Sequence, residues 1–429
     1  MNARQHLARV VGWGSLMMIA VAGFAFWPQS AHAAGVVGDG TPGSCTDATF
    51  QVAAAGGGKV TFACGAAPKT IEVSTWVVSA TTTIDGGDSV TLDGRDLNQI
   101  FLVLGGGNLT LQDIQLARGN FSNGGAIFNA TGGKVTLRGV DIYNSVADGG
   151  GNDGGAIYNR GTLAVNFSSF NGNQADDEGG AIYNDGGVVT IVGTNFSNNI
   201  ANNAGILVPN GAGGAIASES GSLVLRRVLI RRNTAGSLGG GLYLKNTTVA
   251  ITNTTVTDNL AGRENSGDAA QGGGMYLEGG SVSVLNGTIY RNRANSGGVF
   301  NNGATFTIKN TIVATNYADD GQSLTLNCDA AQATHATSAG HNIISDFSCF
   351  NPGSTGDQVN TDPLLGPLQA NGGPTFSYLP TKNSTAINQG DNNGCPGHDQ
   401  REVIRPIAIV CDIGATEVGQ EMFLPSLKK

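Results

Sequence analysis

Residues 154–175 read GGAIYNRGTLAVNFSSFNGNQA, and residues 179–201 read GGAIYNDGGVVTIVGTNFSNNIA. The hexapeptide GGAIYN is identical in both, and close copies begin at Gly124, Gly213, Gly239, Gly272 and Ser296. The starts lie 24 to 34 residues apart. That period belongs to solenoids, in which each unit contributes one coil and buries its apolar side chains against the next.

The remainder of each repeat keeps the same register. Leu111, Leu137, Val165, Ile191, Leu225, Ile251, Val284 and Ile308 form one apolar column. Five positions on, Leu116, Ile142, Phe170, Phe196, Ile230, Val256, Ile289 and Val313 form a second. Asn173, Asn199, Asn233, Asn259, Asn292 and Asn316 follow in a third, and Ala147, Ala175, Ala201, Ala235, Ala261, Ala294 and Ala318 in a fourth. Each column implies one side chain stacked on its counterpart in the next coil. Buried asparagines are expected at bends, where stacked amides bond to one another and to turn backbone.

The segments after the glycines alternate apolar with polar residues, favour Val, Ile, Thr, Tyr and Phe, and are broken by Gly and Asn clusters, so they read as strands. The expected fold is all-β: a right-handed parallel β-helix, pectate-lyase-like in architecture, stacked at about 4.8 Å per coil. An N-terminal cap and a disulfide-containing C-terminal cap cover its open ends. The expected organisation is a signal segment at 1–33, a cap and first coils at 34–107, regular repeats at 108–327, a distinct segment at 328–416 and a tail at 417–429.

Arg4 and Arg9 precede an apolar stretch over 10–27, and Ala31-His32-Ala33 has the small-x-small form of a cleavage site. These features read as an export signal cut before Ala34, or, uncleaved, as a membrane anchor. The six cysteines fall in neighbouring pairs, Cys45 with Cys64, Cys328 with Cys349 and Cys395 with Cys411, and nearest-neighbour disulfides suit an exported chain. The spacings lack the Cys-x-x-Cys pairs of zinc sites, and after residue 33 the histidines are His335, His341 and His398. No metal site is expected from the cysteines. The net charge of −9 argues against a nucleic-acid partner. The one basic cluster, Arg226, Arg227, Arg231 and Arg232, reads as a solvated face.

Two family resemblances rest on these motifs. Gly-Gly-Ala-Ile together with Phe170-x-x-Asn173 and Phe196-x-x-Asn199 resembles the paired motifs of chlamydial polymorphic outer-membrane proteins. That resemblance implies a surface-exposed β-helix of the adhesin type. His341-Asn342-Ile343-Ile344, the stretch from Gly356 through Asn360-Thr361-Asp362-Pro363 to Leu368, Asn371-Gly372-Gly373-Pro374-Thr375, Ala386 through Asp391, and Cys411-Asp412-Ile413-Gly414-Ala415 resemble the bacterial choice-of-anchor domain of type Q. It implies an exported, envelope-associated protein of a bacterium.

Two sets of residues are candidates for chemistry. Loops inserted before the Gly-Gly pairs carry Asp148, Asp153, Asp176, Asp177, Glu178, Glu264 and Asp268. Such carboxylates bind Ca²⁺ or serve as acid and base on a polysaccharide, although most loop carboxylates are only solvated. The second set is the aromatic column Phe128, Tyr158, Tyr183, Tyr243, Tyr276 and Phe300, broken at Ala217. Alternation along a strand sends either these rings or the preceding aliphatic residues outward. Outward rings would make a ladder of faces for sugars or a partner protein; a bend that turns both columns inward, or rings that only shield the edge of the rod, would make them structural. The function expected is non-catalytic adhesion or glycan binding at the cell surface, with an extracellular glycan or surface protein as partner. A polysaccharide lyase or hydrolase and a passive rod are the alternatives.

Overall fold

The computed structural model describes residues 35–149, 151–202, 211–262, 269–318, 326–330, 336–350 and 353–419. The expected export segment at 1–33, Glu264, Asp268 and His335 lie outside these residues. The chain winds as a right-handed parallel β-helix. One face is a ten-stranded parallel sheet that runs from Trp76–Val78 through Ile157–Asn159, Ile182–Asp185 and Leu242–Lys245 to Cys328–Ala330. A second, longer sheet takes two strands from most coils, such as Thr162–Asn166 and Ser169–Asn171. The third face is a seven-stranded ladder of two-residue strands ending on the alanine column, from Val146–Ala147 to Tyr317–Ala318.

The register is the one written in the columns. Val165 pairs with Ile191, Leu225 with Ile251, and Ile182 with Ile216. The apolar columns fill one continuous core, in which Phe170 stacks on Phe196 at 4.7 Å. In these coils the two strands of the long sheet are parted by two residues, the first of them in the left-handed region, as at Phe167 (φ 49°) and Gly193 (φ 60°). That conformation turns the chain sharply, so the new strand starts two residues later.

The asparagine column forms an unbroken amide ladder. Each side-chain amide of Asn173, Asn199, Asn233, Asn259, Asn292 and Asn316 donates to the Oδ1 of the next, at 2.9–3.0 Å, ending on Asn327. The same Oδ1 atoms accept the backbone N–H one coil below, as Asn233 does from Asn199 at 3.0 Å. These bonds satisfy corner backbone groups that the sheets leave open. A second ladder runs through the last residue of the hexapeptide, from Asn129 through Asn159 and Asn184 to Ser218.

The ends differ from a plain all-β rod. The helix Asp47–Ala54, started by a Thr46/Thr49 capping box, buries Phe50 and Ala54 over the first coil. Phe50 meets Trp76 edge-on at 6.1 Å. Disulfides join Cys45 to Cys64, Cys328 to Cys349 and Cys395 to Cys411. Short rungs continue past residue 328, at Ile343–Ile344 and Gln358–Val359. The chain then leaves the coil and runs back along the flank of the long sheet. Asn310 binds Asp391, Asn286 binds the carbonyl of Asp412, Thr255 binds Gln400, and Asn195 reaches the carbonyl of Pro374. Residues 360–419 therefore act as a strap over several coils. Its interior holds a buried charge network in which Arg401 pairs with Asp399 at 2.7 Å and Arg405 faces Glu417 at 3.6 Å.

Two of the four clustered arginines belong to this strap contact, which corrects the solvated-face expectation. Arg227 pairs with Glu402 at 2.6 Å, and Arg231 lies over the ring of Phe376 at 5.4 Å. Arg226 is exposed and Arg232 stands at the same outer surface.

Candidate functional site: the tyrosine and carboxylate flank

The aromatic residues stack in the ten-stranded sheet. Tyr158 pairs with Phe128 and Tyr183, Ala217 with Tyr243, and Tyr276 with Phe300. Ile157, Ile182 and Leu242 point into the main core, so the rings stand on the opposite face, as strand alternation requires. They do not, however, offer open ring faces. Tyr158, Tyr183, Tyr243, Tyr276 and Phe300 are at most 8 % exposed. Centroids lie 5.2 Å apart for Phe128 and Tyr158, 5.1 Å for Tyr158 and Tyr183, 5.6 Å for Tyr243 and Tyr276, and 5.4 Å for Tyr276 and Phe300. The rings thus pack on one another in two runs, Phe128 to Tyr183 and Tyr243 to Phe300, on either side of Ala217, which corrects the expectation of a ladder of open ring faces.

The cover comes from the inserted loops. The first glycine of each pair is left-handed, +66° at Gly179, and a Cβ there would stand 2.3 Å from the carbonyl oxygen of Ile182. This turn folds the preceding residue back over the rings. Glu178, Ala212, Leu238 and Gln271 form a short parallel ladder of their own, and Ala212 and Leu238 pack on the rings. All four lie five positions before the aromatic column. The four differ in chemistry, so their spacing is the one sequence signal of this second layer. The second glycine is held by the adjacent coil: a Cβ on Gly180 would stand 2.2 Å from the carbonyl oxygen of Gly214.

The rim of the ladder is polar and paired. Tyr158 donates to Asp185 at 2.9 Å and accepts from Arg160 at 3.0 Å, while Arg160 binds Asp185 at 2.6 Å. Tyr243 donates to Glu278 at 3.2 Å, Tyr276 accepts from Asn302 at 3.1 Å, and Lys245 pairs with Glu219 at 2.8 Å. Burial and neighbouring carboxylates, Glu178 foremost, hold the Tyr183 and Tyr243 hydroxyls well above the ordinary phenol range. These two rings flank the gap that Ala217 leaves.

Among the loop carboxylates, Asp153 and Glu178 come together: the Glu178 N–H donates to Asp153 Oδ1 at 3.1 Å. Burial first, then the charges of Glu219, Asp153 and Asp177, pushes Glu178 up to about 8. Asp153 rises to about 7, mainly through burial, against the bond from Glu178 that opposes the rise. Glu178 Oε2 is enclosed without a hydrogen-bond partner. Asp177 is also raised by burial, and Asp176 supports the backbone of Gly149 at 2.8 Å. Asp148 reaches Asn120 at the surface. Among the described residues, no group of three or more His, Cys, Asp or Glu side chains is placed to hold a metal ion.

Residues 167–185 match the Chlamydia polymorphic membrane protein repeat. The matched stretch contains Phe170, Asn173 and Gly179-Gly180-Ala181-Ile182, so the similarity falls on the core stack, the amide ladder and the turn that covers the rings. No curated protein matches the chain. Among solved structures, the crystal structure of pectate lyase Pel9A is similar at 13 % identity over 82 % of this chain and 89 % of that one, with a TM-score of 0.38. Among the described residues, no helix is long and apolar enough to cross a membrane.

Proposed function

We propose that the protein is exported to the surface of a bacterial cell, where the tyrosine and carboxylate flank binds an extracellular glycan without cleaving it. The observation that carries this reading is the row Arg160, Asp185, Glu219, Lys245, Glu278 and Asn302, anchored to the rigid ring ladder and spaced one coil apart. Carboxylates, amides and cations held at about 4.8 Å intervals form a preorganised set of hydrogen-bonding groups for a repeating polar chain. The similarity to the polymorphic membrane protein repeat supports surface exposure. The likeness of residues 341–415 to the choice-of-anchor domain supports association with the envelope.

Polysaccharide cleavage by a lyase or hydrolase is the second reading, favoured by one arrangement: the backbone N–H of Glu178 donates to Asp153 at 3.1 Å, and burial pushes both carboxyls above the usual range. The test is a glycan array run on residues 34–429 with calcium and with chelator, repeated on a variant carrying Asp185→Asn, Glu219→Gln and Glu278→Gln. Saturable binding that the triple variant loses, with its melting temperature retained, supports the flank as the site. Equal binding by both proteins sinks it.

A further inference from the structure

The strap encloses a cleft that the flank does not explain. Near its tip, Gln369 and Ser377 bridge to form a hairpin whose loop, Ala370 to Phe376, arches over the long sheet. Between loop and sheet lies a cavity of about 230 Å³, floored by Asn195, Ser197 and Arg231 and roofed by Gly372, Gly373 and Phe376. The volume suits one sugar-sized residue rather than a larger ligand.

The cleft is built rather than accidental. Gly373 (φ +79°) seats the loop on Arg401, whose Cα would lie 2.4 Å from a Cβ there. Buried Gln400 holds the loop from beneath, donating to Thr375 at 2.9 Å and to the Phe376 carbonyl at 3.2 Å while accepting from Thr255 at 2.6 Å. Asn195 fastens the other side through the Pro374 carbonyl. Fixed walls of this kind lower the entropy that a ligand must otherwise supply.

Arg231 gives the cleft its chemistry. Arg227 on the same coil is matched by Glu402, and Arg118, Arg160, Arg291 and Arg401 each have a carboxylate. Arg231 forms no ion pair among the described residues, and unlike the exposed Arg138, Arg226 and Arg232, which also show none, it is half-buried in the cleft wall. Its guanidinium rests over the ring of Phe376, which restrains the fork of N–H donors. A fixed cation lining a cavity on a chain of net charge −9 selects an anion, and the planar fork suits a carboxylate. The amide of Asn195, the hydroxyl of Ser197 and the ring of Phe376, 43 % exposed, supply the mixed polar and apolar walls that a sugar needs.

We infer that the cleft between the strap hairpin and the long sheet binds one carboxylate-bearing sugar, with Arg231 on the carboxylate and Asn195, Ser197 and Phe376 on the ring. This cleft lies beyond the flank reading and stands or falls separately from it. The test is titration of residues 34–429 with D-glucuronate, D-glucose and acetate, followed by calorimetry or ligand-observed magnetic resonance at low salt. Glucuronate is expected to saturate, with glucose and acetate each at least about ten-fold weaker. Arg231→Gln is expected to weaken glucuronate about ten-fold or more, the loss of a charge-assisted pair. Phe376→Ala, at an exposed position, is expected to weaken it less while leaving the fold intact. Acetate binding as tightly as glucuronate overturns the sugar assignment. No saturation by glucuronate, or an unchanged constant in Arg231→Gln, overturns the site, whereas a lower melting temperature in that variant with unchanged binding assigns Arg231 to strap docking alone. The flank triple variant is expected to bind glucuronate normally, which separates the two sites.

Discussion

Replacing Asn233 by alanine tests the amide ladder in the middle of the rod. The Asn233 side chain takes part in four hydrogen bonds: it donates to Asn259 Oδ1 at 2.9 Å and to the Phe196 carbonyl at 3.2 Å, and accepts from the Asn199 backbone at 3.0 Å and side chain at 2.9 Å. All lie in fully buried surroundings. After truncation the Asn199 side chain keeps its bond to the Phe170 carbonyl, but the Asn199 backbone N–H has no acceptor. Three lost bonds at about 1 kcal/mol each, with roughly 1–3 kcal/mol for the stranded N–H, give a loss of about 4–6 kcal/mol. Urea unfolding of residues 34–429 measures it, with Asn171→Ala as control; Asn171 sits two residues before the ladder in ordinary strand conformation, exposed, and should change stability by less than about 1 kcal/mol. Hydrogen exchange should also show the Asn199 amide losing protection before its neighbours. A loss for Asn233→Ala no larger than the control's would refute the claim that the ladder holds the coil corners.

Three further outcomes follow from the flank. Tyr183→Ala, which opens a ring-sized void beside the Ala217 gap, should cost about 3–5 kcal/mol in a denaturant titration, whereas Tyr158→Phe keeps the stack and should cost about 1 kcal/mol. Gly180→Ala drives a Cβ into the Gly214 carbonyl and should lower the melting temperature by more than any exposed alanine substitution. The pH dependence of Glu178 has a definite sign. Its folded value, about 8, lies above the ordinary 4.5, so the folded state binds more protons than the unfolded one between these limits, and its contribution falls as pH rises through that window. Glu178→Gln should therefore raise the melting temperature at pH 8 and leave it nearly unchanged at pH 4.

The coil was legible because a solenoid repeats its environment. One buried position per coil demands the same residue type every 24 to 34 residues, so Val165, Phe170 and Asn173 each announce a column. The asparagines were readable as buried because a polar residue that recurs in step with apolar columns keeps its place only where its amide is bonded inside the coil. Strand alternation also separated Ile157 from Tyr158 correctly. What alternation does not encode is a second layer. Whether Tyr158 meets solvent depends on the left-handed turns at the glycine pairs, which fold Ala212 and Leu238 over the rings. The strap was unreadable for a related reason. Residues 360–419 carry no period, and contacts such as Thr255 with Gln400 join positions 145 apart. Arg231 looked solvated because nothing near it in sequence predicts Phe376. The helix Asp47–Ala54 was not read, because its Thr46/Thr49 capping box is a local feature with no repeat to announce it.

A surface β-helix that binds a glycan and leaves it intact must hold its ligand without shortening it. The polysaccharide retained most tightly on the array is therefore incubated with residues 34–429 over pH 5 to 8, and its chain length is followed by mass alongside bound protein. Saturable binding with unchanged chain length is the predicted result. Shortened or unsaturated fragments that disappear in Glu178→Gln would contradict it and make the protein an enzyme.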